Sequence, residues 1–374
     1  MEAEEIGKEG NEMGKKTIIP FGPQHPVLPE PIHLDLVVED ETVVEAIPSI
    51  GYIHRGLEKL VEKKDYNQMV YVVERICGIC SFGHGWGACL AIEGAMNVEI
   101  PERAEYLRTI LHELGRIHSH LLWLGLMADG FGFESLFNHC WRVRETVLDL
   151  FEKNTGGRVV FSICKVGGMR QDISDENLKE MVEVLNGIKK EIKSLTDVFI
   201  NDTSVKNRMV GVGVLTKEEA EELCAVGPTV RGSGVAQDLR LTDTHGVYGK
   251  LGFEPIVEEA GDCMARTKVR IREVFQSIEL IEKAVSMIPE GPVAVNVKGN
   301  VEDGAEYMVR LEQPRGEAFY YARGAGSKFL KRMRVRTPTN MNIPALVKTL
   351  QGCDLADVPI LVLTIDPCIS CTER

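Results

Sequence analysis

Apolar residues recur at helical spacing through the middle of the chain. Between residues 100 and 127, Leu107, Leu111 and Leu121 fall on one face of a helix, and Pro101 stands near its start. This period of about 3.6 residues predicts a long amphipathic helix. Further helices are predicted over residues 51–74 after an initial turn, and over residues 134–153, 175–199, 215–225, 263–288 and 342–352.

Alternating apolar and polar residues predict strands towards both ends of the chain. Residues 32–46 (IHLDLVVEDETVVEA) alternate on either side of an acidic turn, which is typical of a β-hairpin. Strands are also predicted over residues 293–310, 318–322 and 331–336, and a short buried strand over residues 359–365. The expected fold is therefore α+β and mainly α, with a central bundle of long helices, a small N-terminal sheet and a second small sheet in the last third.

Charge and composition give the expected domain organisation. Residues 1–16 are polar and lack periodicity, so we predict a flexible N-terminal tail. Residues 17–374 are expected to form one functional domain, with a β-rich part over 17–50, a helical core over 51–290 and an α+β part over 291–374. The formal net charge of −13 argues against nucleic-acid binding. We find no apolar run near the roughly 18 residues of a membrane span.

Four of the ten cysteines form two CxxC pairs, Cys77/Cys80 and Cys368/Cys371, separated by almost the whole chain. Four thiolates suit zinc, nickel, iron clusters or Cu(I). A structural zinc site closing this long loop is one interpretation, although zinc ribbons place their pairs much closer together. A thioredoxin-like motif would need a βαβ pattern, and a disulfide is disfavoured in the cytosol.

The residues around the pairs indicate a site where charge and protons move. Arg75 precedes Cys77 by two residues, and His84 follows Cys80 by four, where it can donate a hydrogen bond to a thiolate. Asp366 leads into the second pair. A closed structural zinc site needs no such acid–base groups.

At these residues the sequence resembles the large subunit of [NiFe] hydrogenases. Residues 75–84 (RICGICSFGH) match the family motif RxCGxCxxxH, and residues 366–374 (DPCISCTER) match the terminal motif DPCxxCxx(H/R). Further segments resemble motifs of the energy-converting, membrane-associated branch (group 4) and of the related quinone-site subunit of complex I. These segments are FGPQHP (21–26), GYIHRGLEKL (51–60), GPTVRGSGV (227–235), GDCMAR (261–266) and RTPT (336–339). Retention of all four cysteines favours a hydrogenase over a quinone-site subunit.

The resemblance implies a nickel–iron centre held by the four cysteines. Cys77 and Cys368 would bind nickel terminally. Cys80 and Cys371 would bridge nickel to an iron that carries one CO and two cyanide ligands, Fe(CN)2CO. An open coordination position would remain, as in other catalytic metal sites.

The resemblance also implies roles for the residues around the centre. Glu30 aligns with the glutamate that relays protons away from it. Pro314 and Arg315 match the family's PRG segment, whose arginine overhangs the centre beside the inorganic ligands, and Asp366 matches the aspartate held next to that arginine. Glu58 matches a glutamate that binds Mg2+ or Fe in many members.

Arg374 departs from the family pattern, because it replaces the C-terminal histidine that lies above that ion. Pairing of Glu58 with a basic side chain is therefore the alternative to a metal ion at this position.

The implied function is reversible interconversion of H2 with protons and electrons. Electrons would pass through an iron–sulfur small subunit carrying [4Fe–4S] clusters, because this chain has too few grouped cysteines for its own. The expected partners are that subunit, ferredoxin acting through it, integral membrane subunits that translocate ions, and a maturation protease. The chain would lie peripherally on the cytoplasmic face of the cell membrane.

Two other functions stay open at this point. One is a quinone-site-like electron-transfer subunit with a vestigial metal site, which would bind no nickel. The other is a noncatalytic scaffold whose four cysteines hold zinc, which would unfold on chelation.

Overall fold

A computed structural model describes residues 16–242 and 245–374. The predicted tail, residues 1–16, lies outside this part of the chain except for its last residue. The strands are β1 (Thr17–Phe21), β2 (His33–Glu39), β3 (Thr42–Ser49), β4 (Cys164–Lys165), β5 (Gly168–Met169), β6 (Glu306–Gln313), β7 (Gly316–Gly324) and β8 (Leu330–Arg336). The helices of the first half are α1 (Leu57–Val61), α2 (Tyr66–Glu74), α3 (Ser81–Met96), α4 (Glu102–Gly130), α5 (Glu134–Thr155) and α6 (Asp175–Asn201). The later helices are α7 (Thr203–Met209), α8 (Lys217–Glu222), α9 (Pro228–Arg231), α10 (Leu239–Thr242), α11 (Tyr248–Leu251), α12 (Cys263–Met287), α13 (Pro338–Leu350), α14 (Val358–Thr364) and α15 (Ile369–Glu373).

The N-terminal sheet contains the predicted hairpin. Strands β2 and β3 pair antiparallel, and β1, which sequence periodicity did not indicate, adds to the other edge of β2. Leu34, Leu36 and Val38 are buried while the alternate residues of β2 remain partly exposed. The period-2 pattern therefore marks the face that packs on the core.

The long helices form the predicted central bundle. Helix α4 packs against α5 and α12, and α6 covers α5 and α12. Leu107, Leu111 and Leu121 of α4 are completely buried. Helix α8 begins at a capping box, in which Thr216 accepts from the backbone of Glu219 and the Glu219 carboxylate accepts from the backbone of Thr216. None of the described helices combines the length and apolarity needed to cross a bilayer.

Helix α3 was not predicted, because glycine is unfavourable inside helices and this segment reads SFGHGWGACLAIEGAM. It packs on α2 and on strands β6 and β7. A Cβ atom at Gly85 would lie 2.6 Å from the Glu74 carboxylate, and one at Gly94 would lie 2.3 Å from the Tyr307 ring. The glycines therefore allow neighbouring elements to approach the helix backbone closely.

Two predicted strands are wrong in part or in full. Residues 293–305 form only isolated bridges, and β6 begins at Glu306. Gly299 and Gly304 have positive φ angles in this stretch and interrupt an extended strand. Residues 359–365 lie in helix α14 and its C-cap rather than in a strand. A short, continuously apolar run has no period that separates a buried strand from a buried helix.

Candidate metal centre

The two CxxC pairs meet at one buried position. Cys77 follows α2, Cys80 caps the start of α3, Cys368 caps α15, and Cys371 lies in α15. The Sγ atoms of Cys77 and Cys368 are 3.3 Å apart, and those of Cys80 and Cys371 are 3.6 Å apart. All four residues are at most 7% exposed. The fold thus brings together sulfur atoms from opposite ends of the chain.

The four thiols are better suited to bind a metal cation as thiolates than to lose their protons without one. A hydrogen bond from Cys368 holds the pKa of Cys77 well below its ordinary value, whereas burial raises the pKa of Cys371 well above it. Burial and like charge therefore oppose ionisation of all four thiols in the absence of a cation. Four buried sulfur donors fit a soft or borderline metal centre such as nickel with iron.

His84 lies one turn into α3 and faces the cluster. Its Nε2 is 3.4 Å from Cys371 Sγ, and its Nδ1 is 2.9 Å from the Tyr320 hydroxyl. Burial lowers the pKa of His84 to about 4, so the imidazole is neutral. Tyr320 in turn lies 3.1 Å from Nε2 of Gln313. Sequence reasoning identified His84 but missed Tyr320 and Gln313.

Arg315 lies in the tight turn between β6 and β7, directly after the buried Pro314. Its guanidinium donates to the Asp366 carboxylate (2.7 Å) and to the Asp366 backbone oxygen (2.9 Å). It also reaches Ser119 Oγ on α4 at 3.4 Å. Burial opposes the positive charge, but Asp366 and the nearby cysteines raise the pKa of Arg315 well above its ordinary value. The structure therefore joins three of the predicted residues at one side of the cluster.

A cavity of about 350 Å³ lies beside Cys77 and Cys368, and the predicted carboxylates Glu30 and Asp366 both line it. Its lining includes Glu30, Cys77, Arg315, Asp366 and Cys368, together with the apolar side chains of Leu122, Trp123 and Leu126. The Glu30 carboxylate accepts hydrogen bonds from the backbone N–H (2.9 Å) and the hydroxyl of Ser370. A small molecule in this space would contact sulfur, carboxylate and guanidinium groups together.

Glu58 does not fit the predicted Mg2+ or Fe ion. Its carboxylate accepts from Nε of Arg374 and the backbone N–H of Val335, both at 3.0 Å, and from Arg334 (3.3 Å) and Arg332 (3.5 Å). Among the described residues, no group of three close metal-ligating side chains includes Glu58. Three guanidinium groups already supply the positive charge that a divalent cation would bring.

Comparison with known proteins agrees with this arrangement. A family model described as the 49 kDa subunit of respiratory-chain NADH dehydrogenase matches residues 130–303 and 295–374, and one described as nickel-dependent hydrogenase matches residues 55–127. The chain is 38% identical over 372 residues to the membrane-bound hydrogenase subunit alpha of Pyrococcus furiosus, covering 95% of this chain and 87% of that relative. It is 34% identical over 354 residues to one subunit of the NADH-quinone oxidoreductase of Geobacillus kaustophilus, covering 94% of this chain and 96% of that relative.

The same relationship holds in three dimensions. A chain from the structure of the membrane-bound sulfane sulfur reductase, an archaeal respiratory membrane complex, matches with a TM-score of 0.91 at 30% sequence identity. The match covers 96% of this chain and 98% of that chain. The chain therefore belongs to the oxidoreductase family that comprises the large subunits of group 4, membrane-bound [NiFe] hydrogenases and the related 49 kDa subunit of respiratory-chain NADH dehydrogenase.

Proposed function

We propose that this chain is the catalytic large subunit of an energy-converting, membrane-associated [NiFe] hydrogenase that reversibly interconverts H2 with two protons and two electrons. The observation that carries the proposal is a buried cluster of four cysteine sulfur atoms, two of which, those of Cys77 and Cys368, line a cavity together with Glu30 and Arg315. A nickel ion bridged to Fe(CN)2CO would supply the redox chemistry that splits or forms H2 when bound there.

Two sulfur–sulfur distances support the proposed ligand set. Cys77 and Cys368, the proposed terminal nickel ligands, are neighbours at 3.3 Å, and Cys80 and Cys371, the proposed bridging ligands, are neighbours at 3.6 Å. Backbone N–H groups of Ile79 and Cys80 point at Cys77 Sγ from 3.2 and 3.5 Å. Such N–H groups stabilise a thiolate, which keeps Cys77 in the form that binds metal.

Arg315 and Glu30 have separate tasks at the cavity wall. Asp366 holds the Arg315 guanidinium through two contacts, and the remaining N–H groups could donate to anionic ligands if the proposed iron were bound. Glu30 is positioned to accept a proton released beside Cys368 and to pass it outward through the N-terminal loop. Leu122 and Leu126 add apolar side chains to the lining of the same cavity.

The partners follow from the same proposal. Beyond the four cysteines of the candidate centre and the adjacent His84, no cluster of three or more metal-ligating side chains occurs in the described part of the chain. The [4Fe–4S] clusters would therefore belong to a partner small subunit, through which ferredoxin exchanges electrons. Relatives named as a membrane-bound hydrogenase subunit and as part of a respiratory membrane complex support an association with membrane subunits. In this proposal those subunits translocate ions, and the chain lies peripherally on the cytoplasmic face of the membrane. A maturation protease is a further proposed partner.

Infrared spectroscopy of the purified complex, with nickel quantified alongside, tests the proposed function. We expect sharp bands in the CO and cyanide stretching regions and about one nickel per chain. Cys371→Ser should abolish the bands, because serine cannot replace a bridging thiolate. Cys164→Ser changes a buried cysteine outside the cluster and serves as the matched control that retains the bands.

Two results would overturn the hydrogenase assignment after co-expression with maturation proteins. One zinc per chain and no infrared bands would identify a zinc scaffold. Electron transfer to a quinone by a complex that holds neither nickel nor bands would identify a quinone-site-like subunit.

A further inference from the structure

The Tyr320 hydroxyl occupies a position between Gln313 and His84 in the protein interior. Tyr320 is completely buried, and its oxygen lies 3.1 Å from Gln313 Nε2 and 2.9 Å from His84 Nδ1. The other ring nitrogen of His84 lies 3.4 Å from Cys371 Sγ. These contacts form an unbroken line of hydrogen-bonding groups from a strand of the C-terminal sheet to one of the cysteines.

Two glycines of α3 make this line possible. A Cβ atom at Gly83 would lie 2.2 Å from the Gln313 carboxamide, and one at Gly87 would lie 2.3 Å from the Tyr320 ring. Gly83 and Gly87 are four residues apart, so they lie on the same face of the helix and flank His84. Tyr320 therefore reaches His84, and Gln313 reaches Tyr320, only because these two helix positions lack side chains.

The direction of each hydrogen bond follows from the chemistry of Cys371, the last residue in the line. A metal-bound thiolate has no proton, so His84 must donate its Nε2–H to Cys371 Sγ. A neutral imidazole then carries a lone pair at Nδ1, which accepts from the Tyr320 O–H. The Tyr320 oxygen in turn accepts from the Gln313 amide N–H. Burial raises the pKa of Tyr320 well above its ordinary value, which keeps the phenol protonated as this order requires.

We propose that Tyr320, itself held by Gln313, is a positioning residue that fixes His84 in the Nε2–H form and so directs a hydrogen bond onto the Cys371 sulfur. This inference rests on the proposed hydrogenase function, in which Cys371 is a bridging ligand. A hydrogen bond to a bridging thiolate withdraws electron density from the metals, and contacts of this kind tune redox potential in metal sites. Tyr320 thereby adjusts the electronics of the centre without touching it.

Replacement of Tyr320 by phenylalanine tests the inference in the purified complex. The ring that fills the space beside Gly87 remains, while the hydroxyl that sets the imidazole tautomer is lost. We expect unchanged nickel content, a CO band shifted to lower frequency by a few wavenumbers, and a more negative midpoint potential. The shift of the CO band and the shift of the potential have the same cause, because a thiolate that accepts fewer hydrogen bonds donates more charge to iron. Tyr321→Phe, at the next position of the same strand, is the matched control without a shift.

A second variant separates tautomer control from packing. In a His84→Gln background the side-chain amide can donate to Cys371 without help from Tyr320, so adding Tyr320→Phe should produce no further infrared shift. The inference is overturned if Tyr320→Phe leaves the bands and the potential of a nickel-loaded complex unchanged, or if its shift persists in full in the His84→Gln background. Absence of bands in the unaltered complex would instead contradict the proposed function.

Discussion

Glu30 links the cysteine cluster to the loop that follows β1. It lines the same cavity as Cys77 and Cys368, and both the backbone and the hydroxyl of Ser370 donate to it. Because Ser370 lies between Cys368 and Cys371 in the C-terminal motif, the carboxylate is held at a constant place relative to both sulfur atoms. A proton acceptor so placed can work at every turnover without a large side-chain movement.

Glu30→Gln should slow H2 turnover by about a hundredfold, because the amide cannot accept a proton. Its oxygen can still accept from the Ser370 backbone N–H, and its NH2 group can donate to the Ser370 hydroxyl oxygen. Nickel content and infrared band positions should stay the same, since no metal ligand changes. The measurement is H2/D2O exchange together with the infrared spectrum. Glu41→Gln, in the exposed turn of the hairpin, is the control. Full exchange activity in Glu30→Gln would remove Glu30 from the proton route.

Glu74 is a buried carboxylate that sequence reasoning missed. Ser162 Oγ donates to one oxygen at 3.0 Å, whereas the other oxygen has no hydrogen-bond partner among the described residues. Burial raises its pKa to about 7. The folded state therefore keeps a proton that the unfolded chain loses above the ordinary carboxyl pKa, so this group makes stability fall as the pH rises from about 5 to about 8.

Glu74→Gln should abolish this part of the pH dependence and raise the free energy of unfolding by about 2–3 kcal/mol at about pH 8. Denaturant unfolding at a series of pH values measures both effects. Glu183→Gln changes an exposed glutamate of α6 and should leave the pH profile as it is. Equal pH profiles for the Glu74→Gln and unaltered proteins would show that Glu74 is ionised in the folded state.

At the scale of elements, helix α3 determines how closely the C-terminal sheet approaches the cysteines. Its glycine-rich sequence is intrinsically a poor helix former, yet most of its residues are buried. Tertiary packing against α2, β6 and β7 therefore stabilises a helix that local propensity disfavours. The same glycines allow Tyr320 to reach His84 and Gln313 to reach Tyr320.

Gly87→Ala should destabilise the protein by about 1–3 kcal/mol, because the added methyl group would overlap the Tyr320 ring at 2.3 Å. Gly187→Ala, at an exposed position of α6, is the matched control, since nothing lies within 4 Å of its Cβ position. There, the better helix propensity of alanine should add about 1 kcal/mol. Thermal or denaturant unfolding distinguishes the two, and a stabilising Gly87→Ala would contradict the close approach described for α3.

At the scale of the whole molecule, the cysteine cluster closes the chain on itself. Cys77 and Cys368 are 291 residues apart in sequence, as are Cys80 and Cys371. Beside them, Glu58 on α1 holds Arg374 close to β8, and Gly51 and Ile53 donate to the Glu373 carboxylate. The segment over residues 51–58 and the C-terminal segment are thus joined by protein contacts, in addition to the proposed metals.

If the bound metals constrain this loop as a covalent cross-link would, loading of the metal centre should raise the free energy of unfolding by about 5–6 kcal/mol. Metal-free protein should show faster hydrogen–deuterium exchange over residues 366–374, with exchange in α6 unchanged as the internal control. Equal exchange in both forms would mean that the Glu58 and Glu373 contacts alone hold the C-terminal segment.

Metal analysis tests the arginine cluster on Glu58 separately. We expect no stoichiometric Mg2+ or additional Fe, because Arg374, Arg334 and Arg332 already neutralise this carboxylate. Glu58→Gln should therefore leave the metal content of the complex unchanged. Loss of a bound Mg2+ in that variant would contradict the ion-pair assignment.

The sequence alone determined the long helices, the N-terminal hairpin and the residues that converge on the centre. Hydrophobic period is a local property, so α4, α5, α6 and α12 could be located to within a few residues. The two CxxC motifs carry their chemistry in adjacent residues, which is why Cys77, Cys80, Cys368 and Cys371 were identifiable without coordinates. Glu30 and Arg315 depended on family resemblance rather than on any pattern of their own.

Only the tertiary structure decided the features that depend on contacts between distant segments. Helix α14 replaced the predicted strand over 359–365, because its buried apolar run suits either structure and packing on α4 and α12 selects the helix. The arginines on Glu58, the support of Arg315 by Asp366 and the line from Gln313 through Tyr320 to His84 join residues far apart in the sequence. Hydrogen-bond partners of this kind have no local signature, since they form only when separate elements are folded against one another.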